Sequence, residues 1–166
     1  MISKIISGGQ TGVGRAALDV AIELGIPHGG WIPKGRKTEA GRLPAKYLLK
    51  EMPTESYPER TEQNVIDSDG TLIISHGPLT GYLDYTRRMA DKHDKPWIHV
   101  DTRSISVEAA VEFVRAWING SDVEVLNVAG PRASKDPTIY VTTKRLLTVL
   151  IKMMSLGYKG SQASPG

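Results

Sequence analysis

Three short segments of the sequence combine glycine with a hydroxyl side chain, a pairing suited to holding an anion. They are residues 8–12 (GGQTG), 76–81 (HGPLTG) and 129–134 (AGPRAS). Each follows a short apolar run and precedes a stretch that we expect to be helical, so each is expected to join a strand to a helix. Free N–H groups and the helix dipole favour an anion at such a joint. Together the three segments predict a site for a phosphate-like group, and each is a candidate phosphate-binding loop.

The first segment does not match the common nucleotide-binding motifs. No Gly-Lys-Ser or Gly-Lys-Thr follows it at P-loop spacing, and GGQTGVG is not a G-x-G-x-x-G pattern. Small residues at this joint have two interpretations. They either let an anion approach the backbone or form a tight, well-capped turn between a strand and a helix.

The segment of residues 30–44 (GWIPKGRKTEAGRLP) is the second candidate binding element. It carries cations at Lys34, Arg36, Lys37 and Arg42, set among glycines. Arginine offers bidentate hydrogen bonds to phosphate or carboxylate, so we expect this segment to fold over an anionic ligand. The alternative is a solvated surface loop.

A polar helix face and the histidines complete the candidate residues. Arg60 and Asn64 share a helix face at the i, i+4 spacing, which points either into the cleft or to water. No histidine pair has metal-ligand spacing, and no nucleophile–base motif is present. His76 follows a strand at the expected ligand edge. We therefore expect neither catalytic nor metal-ligating residues.

Short strands alternate with helices along the chain. The expected strands are Lys4–Ser7, Thr71–Ser75, Trp97–Val100 and Glu124–Val128. The expected helices are Val13–Leu24, Glu59–Asp67, Tyr82–His93, Val107–Ile118 and Pro137–Leu156, the last capped by Asp136. This order predicts an α/β fold, a Rossmann-like three-layer sandwich with a mostly parallel sheet and helices on both faces. We expect one ligand-binding domain over residues 1–157 and a loose tail over 158–166, while residues 30–60 interrupt the alternation.

Composition narrows the classes of protein. The 166 residues include no cysteine, which excludes disulfides, thiol catalysis and cysteine metal sites and fits a cytoplasmic protein. The net charge of +3 suits a small anionic ligand but is too low for a nucleic-acid-binding surface. No apolar run reaches the roughly 18 residues of a membrane span, and residues 1–9 lack a signal-peptide pattern.

Several motifs in order resemble a known family. They are GGQTGVGRAALD, GGWIPKGR, AGRLP, YPERTEQNVIDSDGTLI and LNVAGPRASKDPTIY. Together they resemble the molybdenum cofactor carrier family of the lysine-decarboxylase-like, nucleotide-binding Rossmann superfamily, over residues 4–155. The resemblance implies a homo-oligomer with a pocket at the carboxyl edge of the sheet. That pocket would bind and protect molybdenum cofactor (molybdopterin), a phosphorylated pterin, without transforming it.

Residue patterns and the resemblance together give the expected cofactor-binding residues. They are Gly8, Gly9, Gln10, Thr11, Gly12, Arg15, Lys34, Gly35, Arg36, Arg60, Asn64, Gly77, Thr80, Gly81, Thr86, Gly130, Arg132 and Ser134. The sequence departs from the family pattern at Gly14, where relatives usually carry Asp, and at Tyr82, where a second glycine is common.

Two other function classes stay open. Phosphoribohydrolases of the same superfamily carry a P-G-G-x-G-T-x-x-E signature, whose Glu helps to cleave the glycosidic bond. Here GPLTGYLDYT lacks the second glycine and the Glu, and Asp84 is the only acid in reach. The alternative function is therefore a nucleotide-binding sensor or a hydrolase-like enzyme that binds a nucleotide monophosphate. An interaction module with a vestigial pocket is the third class.

Overall fold

A five-stranded parallel sheet forms the centre of the fold in a computed structural model that describes residues 1–161. The strands are β1 (Lys4–Ile6), β2 (His28–Gly29), β3 (Trp31–Ile32), β4 (Lys37–Thr38), β5 (Gly41–Arg42), β6 (Lys50–Glu51), β7 (Gly70–Ser75), β8 (Trp97–Asp101) and β9 (Val125–Ala129). The helices are α1 (Val13–Glu23), α2 (Tyr57–Asp67), α3 (Gly81–Lys92), α4 (Val107–Gly120) and α5 (Ile139–Ser161).

The strand order is β2-β1-β9-β7-β8, with every neighbouring pair parallel. The chain therefore moves to one side after β1 and to the other after β7, which is the arrangement that opens a crevice at the carboxyl edge of a sheet. Because β1, β9 and β7 are adjacent, the three glycine segments that follow them meet at this edge. The predicted Rossmann-like α/β fold is confirmed.

The two faces of the sheet differ in polarity. Side chains alternate along each strand, so Leu72 and Ile74 of β7 join the main apolar core with α1, α4 and α5. Thr71 and Ser75 of the same strand are buried on the opposite face. On that face Asn127 donates a hydrogen bond to Thr71 at 3.2 Å. The layer beneath α2 and α3 is thus rich in buried polar groups, whereas the other layer is apolar.

The segment that interrupts the alternation is more ordered than the sequence indicates. Residues 30–51 contain the short pairs β3–β6 and β4–β5. They pack a second apolar cluster against α1. Asp19 of α1 accepts hydrogen bonds of 2.5 Å from the hydroxyls of Tyr47 and Tyr140, which ties this segment to α1 and α5.

Helix ends follow local capping more than apolar periodicity. Helix α2 begins two residues before its predicted start because Ser56 caps it, accepting a 3.2 Å hydrogen bond from the Glu59 N–H. Helix α5 begins at Ile139, two residues after its predicted start at Pro137. The Asp136 carboxylate makes a cap-type contact just before the helix, accepting from the Thr138 N–H at 3.2 Å, and it also bonds His76 at 2.7 Å.

Helix α5 continues to Ser161, beyond its predicted end near Leu156. Residues 162–166 of the predicted tail lie outside the described residues. Leu146, Leu147 and Leu150 are fully buried in the main core, so these apolar side chains of α5 are used within the chain. Oligomerisation stays a prediction. No helix within residues 1–161 is long and apolar enough to cross a membrane.

Candidate functional site

A buried arginine lies at the carboxyl edge of the sheet without an acidic partner. Arg60 of α2 is only 6% exposed. Its Nη1 donates to the Gly8 carbonyl at 2.6 Å, and its guanidinium lies 5.4 Å from the centre of the Tyr57 ring. Its buried Nε has no hydrogen-bond partner among the described residues. Among residues 1–161, no Asp or Glu is paired with it.

Burial lowers the pKa of Arg60 from its ordinary value, and the nearby Tyr82 opposes this effect. A guanidinium nevertheless keeps its charge in a protein. A charge removed from water costs free energy unless it is paired and hydrogen-bonded. Arg60 therefore retains an N–H group that could donate a hydrogen bond to an anion at the point where the glycine segments meet.

Two glycines of the first segment make this arrangement possible. A Cβ at Gly8 would lie 2.1 Å from Nη1 of Arg60, so only glycine leaves room for the guanidinium. Gly12 has a φ of +80°, and a Cβ there would lie 2.3 Å from the Pro131 carbonyl oxygen. The glycines therefore bring the β1–α1 loop close to both Arg60 and the β9–α5 loop.

Two adjoining cavities open at this edge. The inner cavity, of about 60 Å³, lies between the β1–α1 loop, α2, α3 and β9. The outer cleft, of about 510 Å³, is bounded by α2, the start of α3 and the β9–α5 loop. Residues Gln10, Arg60, Tyr82, Leu83 and Gly130 line both. The volume of the outer cleft is in the range of small-molecule sites, and the inner cavity has room for a few waters or one oxyanion.

The outer cleft is cationic and partly aromatic. Arg60, Arg132 and Lys135 contribute positive charge to its lining, and none of its described lining residues is acidic. Tyr57 and Tyr82 add two aromatic rings beside Arg60. Tyr82 also shares a short hydrogen bond with the Thr61 hydroxyl, which holds the ring at the junction with the inner cavity. This lining suits a ligand with an anionic group and a planar ring system.

The structure brings half of the predicted site residues to these cavities. Those that line one or both are Gly8, Gln10, Arg60, Asn64, Thr80, Gly81, Thr86, Gly130 and Arg132. Those that line neither are Gly9, Thr11, Gly12, Arg15, Lys34, Gly35, Arg36, Gly77 and Ser134. The glycine segments after β1, β7 and β9 and the polar face of α2 thus converge, whereas the PKGR segment does not join them.

Comparison with known proteins identifies the family. A family model described as "Circularly permutated YpsA SLOG family" matches residues 5–151. The chain belongs to this family. A crystal structure from Syntrophus aciditrophicus SB, described as "Putative molybdenum carrier protein", is 56% identical to this chain. The match covers 90% of this chain and 94% of that one, with a TM-score of 0.89. No curated protein matches the sequence significantly. The family resemblance drawn from the motifs is thereby confirmed.

In this SLOG-family chain, the PKGR segment organises its own loop. Arg36 adopts a φ of +56°, and its guanidinium donates to the carbonyls of Leu43, Pro44, Tyr47 and Leu49 at 2.7–3.4 Å. The sequence predicts that the N–H groups of Arg36 bind a ligand, but these backbone carbonyls accept their hydrogen bonds. Arg15 behaves similarly, since its Nε donates to the Gly9 carbonyl at 3.3 Å and its guanidinium lies over the Tyr47 ring.

Glu39 is the residue of the 30–44 segment that contacts the glycine loops, and the sequence did not predict it. It lies between β4 and β5, and its carboxylate accepts from the hydroxyls of Thr11 and Ser134 and from the Ser134 N–H, the last at 3.1 Å. Arg132 Nε lies 3.8 Å away. The signal in the sequence was one acid in a tight Thr-Glu-Ala-Gly turn within a basic segment. Tyr57 and Lys135 of the outer cleft were also missed.

The acid that a hydrolase would require is engaged elsewhere. Asp84 of α3 pairs with Arg87 at 2.7 Å and with Arg88 at 3.5 Å, and it lines neither cavity. The hydrogen bond from Arg87 lowers the pKa of Asp84 from its ordinary value. Such a carboxylate is a poor general acid. No group of three His, Asp or Glu side chains within the described part of the chain could hold a metal ion.

Proposed function

We propose that this chain is a non-enzymatic carrier that binds a molybdenum cofactor. The phosphate of the pterin is expected at Arg60 and the glycine loops, and the pterin ring in the outer cleft between Tyr57 and Tyr82. The observation that carries the proposal is Arg60, a buried guanidinium with an unsatisfied Nε and no acidic partner among the described residues. The name of the similar Syntrophus protein supports molybdenum as part of the cargo.

The chemistry of the lining supports an organic cofactor more than a bare metal. The sequence has no cysteine, so it offers no thiolate ligand to a soft metal. The outer cleft instead supplies cations and aromatic rings, which recognise a phosphate and a heterocycle. The metal would accordingly be held by the cofactor's own dithiolene, and the protein would bind the organic part. The cysteine-free sequence also supports a cytoplasmic location for such a carrier.

The experiment is identification of the co-purifying ligand. The protein is purified without air and denatured, and any released small molecule is identified by mass spectrometry, with molybdenum measured on the same sample. A phosphorylated pterin or its oxidised product, together with molybdenum, is the expected result. Release of a nucleotide instead would support the sensor or hydrolase alternative, and turnover would then be tested with Asp84→Asn as the control.

A matched pair of arginine variants locates the site. Arg60→Met keeps most of the side-chain volume but removes the charge, and it should co-purify with no ligand. Arg145→Met is the control because this arginine is 63% exposed and pairs with Glu108 across α4 and α5. Equal ligand content in the two variants would contradict the role given to Arg60. The mass of the purified protein in solution tests the homo-oligomer implied by the resemblance.

A further inference from the structure

The carboxylate of Glu39 is held as an anionic ligand would be held. Thr11 donates its hydroxyl to one carboxylate oxygen, and Ser134 donates its N–H to that same oxygen and its hydroxyl to the other. The Thr11 hydroxyl is oriented for this role, since its oxygen accepts the Ala133 N–H at 3.1 Å. Arg132 adds a positive charge at 3.8 Å. Two hydroxyls, an N–H and a guanidinium are also the donors that bind a phosphoryl group.

The donors and the acceptor lie on elements that the rest of the fold holds with different firmness. Thr11 and Ser134 lie in the loops after β1 and β9, which Gly12 locks together by close backbone approach. Glu39 lies at the tip of the β4–β5 hairpin, whose strands have two residues each. Most residues of this hairpin are exposed, and only Thr38 is buried. The donor set is therefore rigid, while the acceptor belongs to an element with few anchoring contacts.

Two residues connect this donor set to the outer cleft. Gln10 lines the cleft, and its side-chain oxygen accepts the Glu39 N–H at 3.0 Å. Arg132 lines the cleft and faces the Glu39 carboxylate. A ligand in the cleft would therefore contact two of the groups that hold the hairpin tip, Gln10 and Arg132. Hydrogen bonds from Ser134 and then Thr11 lower the pKa of Glu39 from its ordinary value, so the group that occupies the donor set is an anion.

We propose that Thr11, Arg132 and Ser134 form a phosphoryl-binding subsite that Glu39 occupies in the free protein. A phosphorylated ligand displaces the carboxylate, and the β4–β5 hairpin is released from the glycine loops. This inference rests on the proposed function because it assigns a second anion subsite and a displaceable latch to the same site. Glu39 then acts as an internal competitor, so the apparent dissociation constant is the intrinsic one divided by the fraction of molecules in which the latch is open.

The test measures binding of inorganic phosphate to latch variants. Glu39→Ala removes the competitor, and Glu39→Gln keeps its shape without the charge. Both should bind inorganic phosphate about tenfold more tightly than the unmodified chain, the gain expected if the latch is closed in about nine molecules of ten. Adding Ser134→Ala to Glu39→Ala should remove most of that gain. Glu112→Ala is the matched control, since it changes net charge equally at an exposed pair with Arg115 on α4.

A second measurement uses the unmodified chain and does not depend on how the variants fold. Hydrogen exchange of the amides of residues 37–42 should accelerate when inorganic phosphate is added, because the hairpin tip loses its anchor. Unchanged or slower exchange, with no gain of affinity in either Glu39 variant, would overturn the latch. If those results were accompanied by ligand loss in Arg60→Met, the carrier function would stand without the latch. If Arg60→Met retained its ligand while the Glu39 variants gained affinity, the subsite would stand and the Arg60 site would fail.

Discussion

Arg60 and Arg36 both donate from the guanidinium to backbone carbonyls, and their hydrogen bonds differ. The guanidinium of Arg36 is surrounded by acceptors, donating to four backbone carbonyls of residues 43–49. Arg60 is more deeply buried but donates to one carbonyl, that of Gly8, and its Nε has no partner in the described part of the chain. The first arginine is satisfied by its own chain and the second is not.

Under the proposed function, this difference separates a structural cation from a binding cation. Buried polar groups in folded proteins are almost always hydrogen-bonded, so an exception requires a reason. Arg36 is no such exception, because four carbonyls accept its hydrogen bonds. These bonds hold the segment between β3 and β6 around the side chain. For Arg60 the missing partner is supplied if an anionic ligand enters the adjoining cavities. The two residues should therefore respond in opposite ways to substitution.

The largest effect is expected for Arg60→Met. Removing a buried charge from its anionic partner typically costs 2–5 kcal/mol, so affinity for the phosphorylated ligand should fall about 30-fold or more. The melting temperature should stay the same or rise, since an unpaired buried charge is replaced by an apolar chain of similar volume. Isothermal titration and thermal unfolding on the same sample measure both quantities.

A companion variant sharpens the result for Arg60. Arg60→Lys keeps a charge but loses the planar fork, so it should bind with intermediate affinity. Gly8→Ala should weaken binding as well, because its Cβ would lie 2.1 Å from Nη1 of Arg60 and force the guanidinium away. If Arg60→Met lowered the melting temperature strongly and left affinity unchanged, Arg60 would be a structural residue like Arg36.

The reverse pattern is expected for Arg36→Ala. Four backbone carbonyls lose a charged donor, which we expect to lower the free energy of unfolding by about 2–4 kcal/mol. For a chain of this length that corresponds to a fall in melting temperature of roughly 10 °C. Ligand affinity measured well below the transition should change little. A large loss of affinity with unchanged stability would restore the lid that the sequence suggested for this segment.

The sequence predicts the sheet edge well and the segment of residues 30–51 poorly, for a physical reason. Glycine loops after apolar runs reflect local backbone demands, so the convergence of residues 8–12 and 129–134 followed from the parallel order of strands. The polar face of Arg60 and Asn64 followed from helical spacing. The partners of Arg36 and Glu39 depend instead on how an irregular segment folds back, and sequence spacing contains no period that reports such contacts.

The two tyrosines that tie residues 30–51 to α1 and α5 make the stability of the fold depend on pH. Burial and the hydrogen bond to Asp19 raise the pKa of Tyr47 to about 12, and the same causes raise the pKa of Tyr140. Tyrosines of the unfolded chain lose their protons near pH 10. Between pH 10 and 12 the folded state therefore binds more protons than the unfolded state, and stability falls as pH rises.

Each such phenol should lower the free energy of unfolding by about 1.4 kcal/mol per pH unit across this window. Denaturant unfolding at pH 8, 10, 11 and 12 measures the slope. Tyr47→Phe and Tyr140→Phe should each be less stable at pH 8 and show a shallower decline above pH 10. An unchanged slope in both variants would mean that Asp19 does not hold this segment onto α1 and α5.

The smallest effect is expected at Gly14, in the first turn of α1 beside the inner cavity. A Cβ there would meet the Gly9 nitrogen and the Ser7 hydroxyl at 3.5 Å, which is ordinary contact, and its φ is not positive. Backbone freedom and space therefore do not require glycine. Gly14→Ala should raise the free energy of unfolding by up to about 1 kcal/mol, the difference in helix propensity. Thermal unfolding and phosphate titration of Gly14→Ala and Gly8→Ala show whether the small residues between β1 and α1 serve the fold or ligand binding. Greater stability with unchanged affinity would assign Gly14 no part in binding, whereas greater stability with weaker binding would mean that a ligand approaches the α1 backbone here as it approaches Arg60.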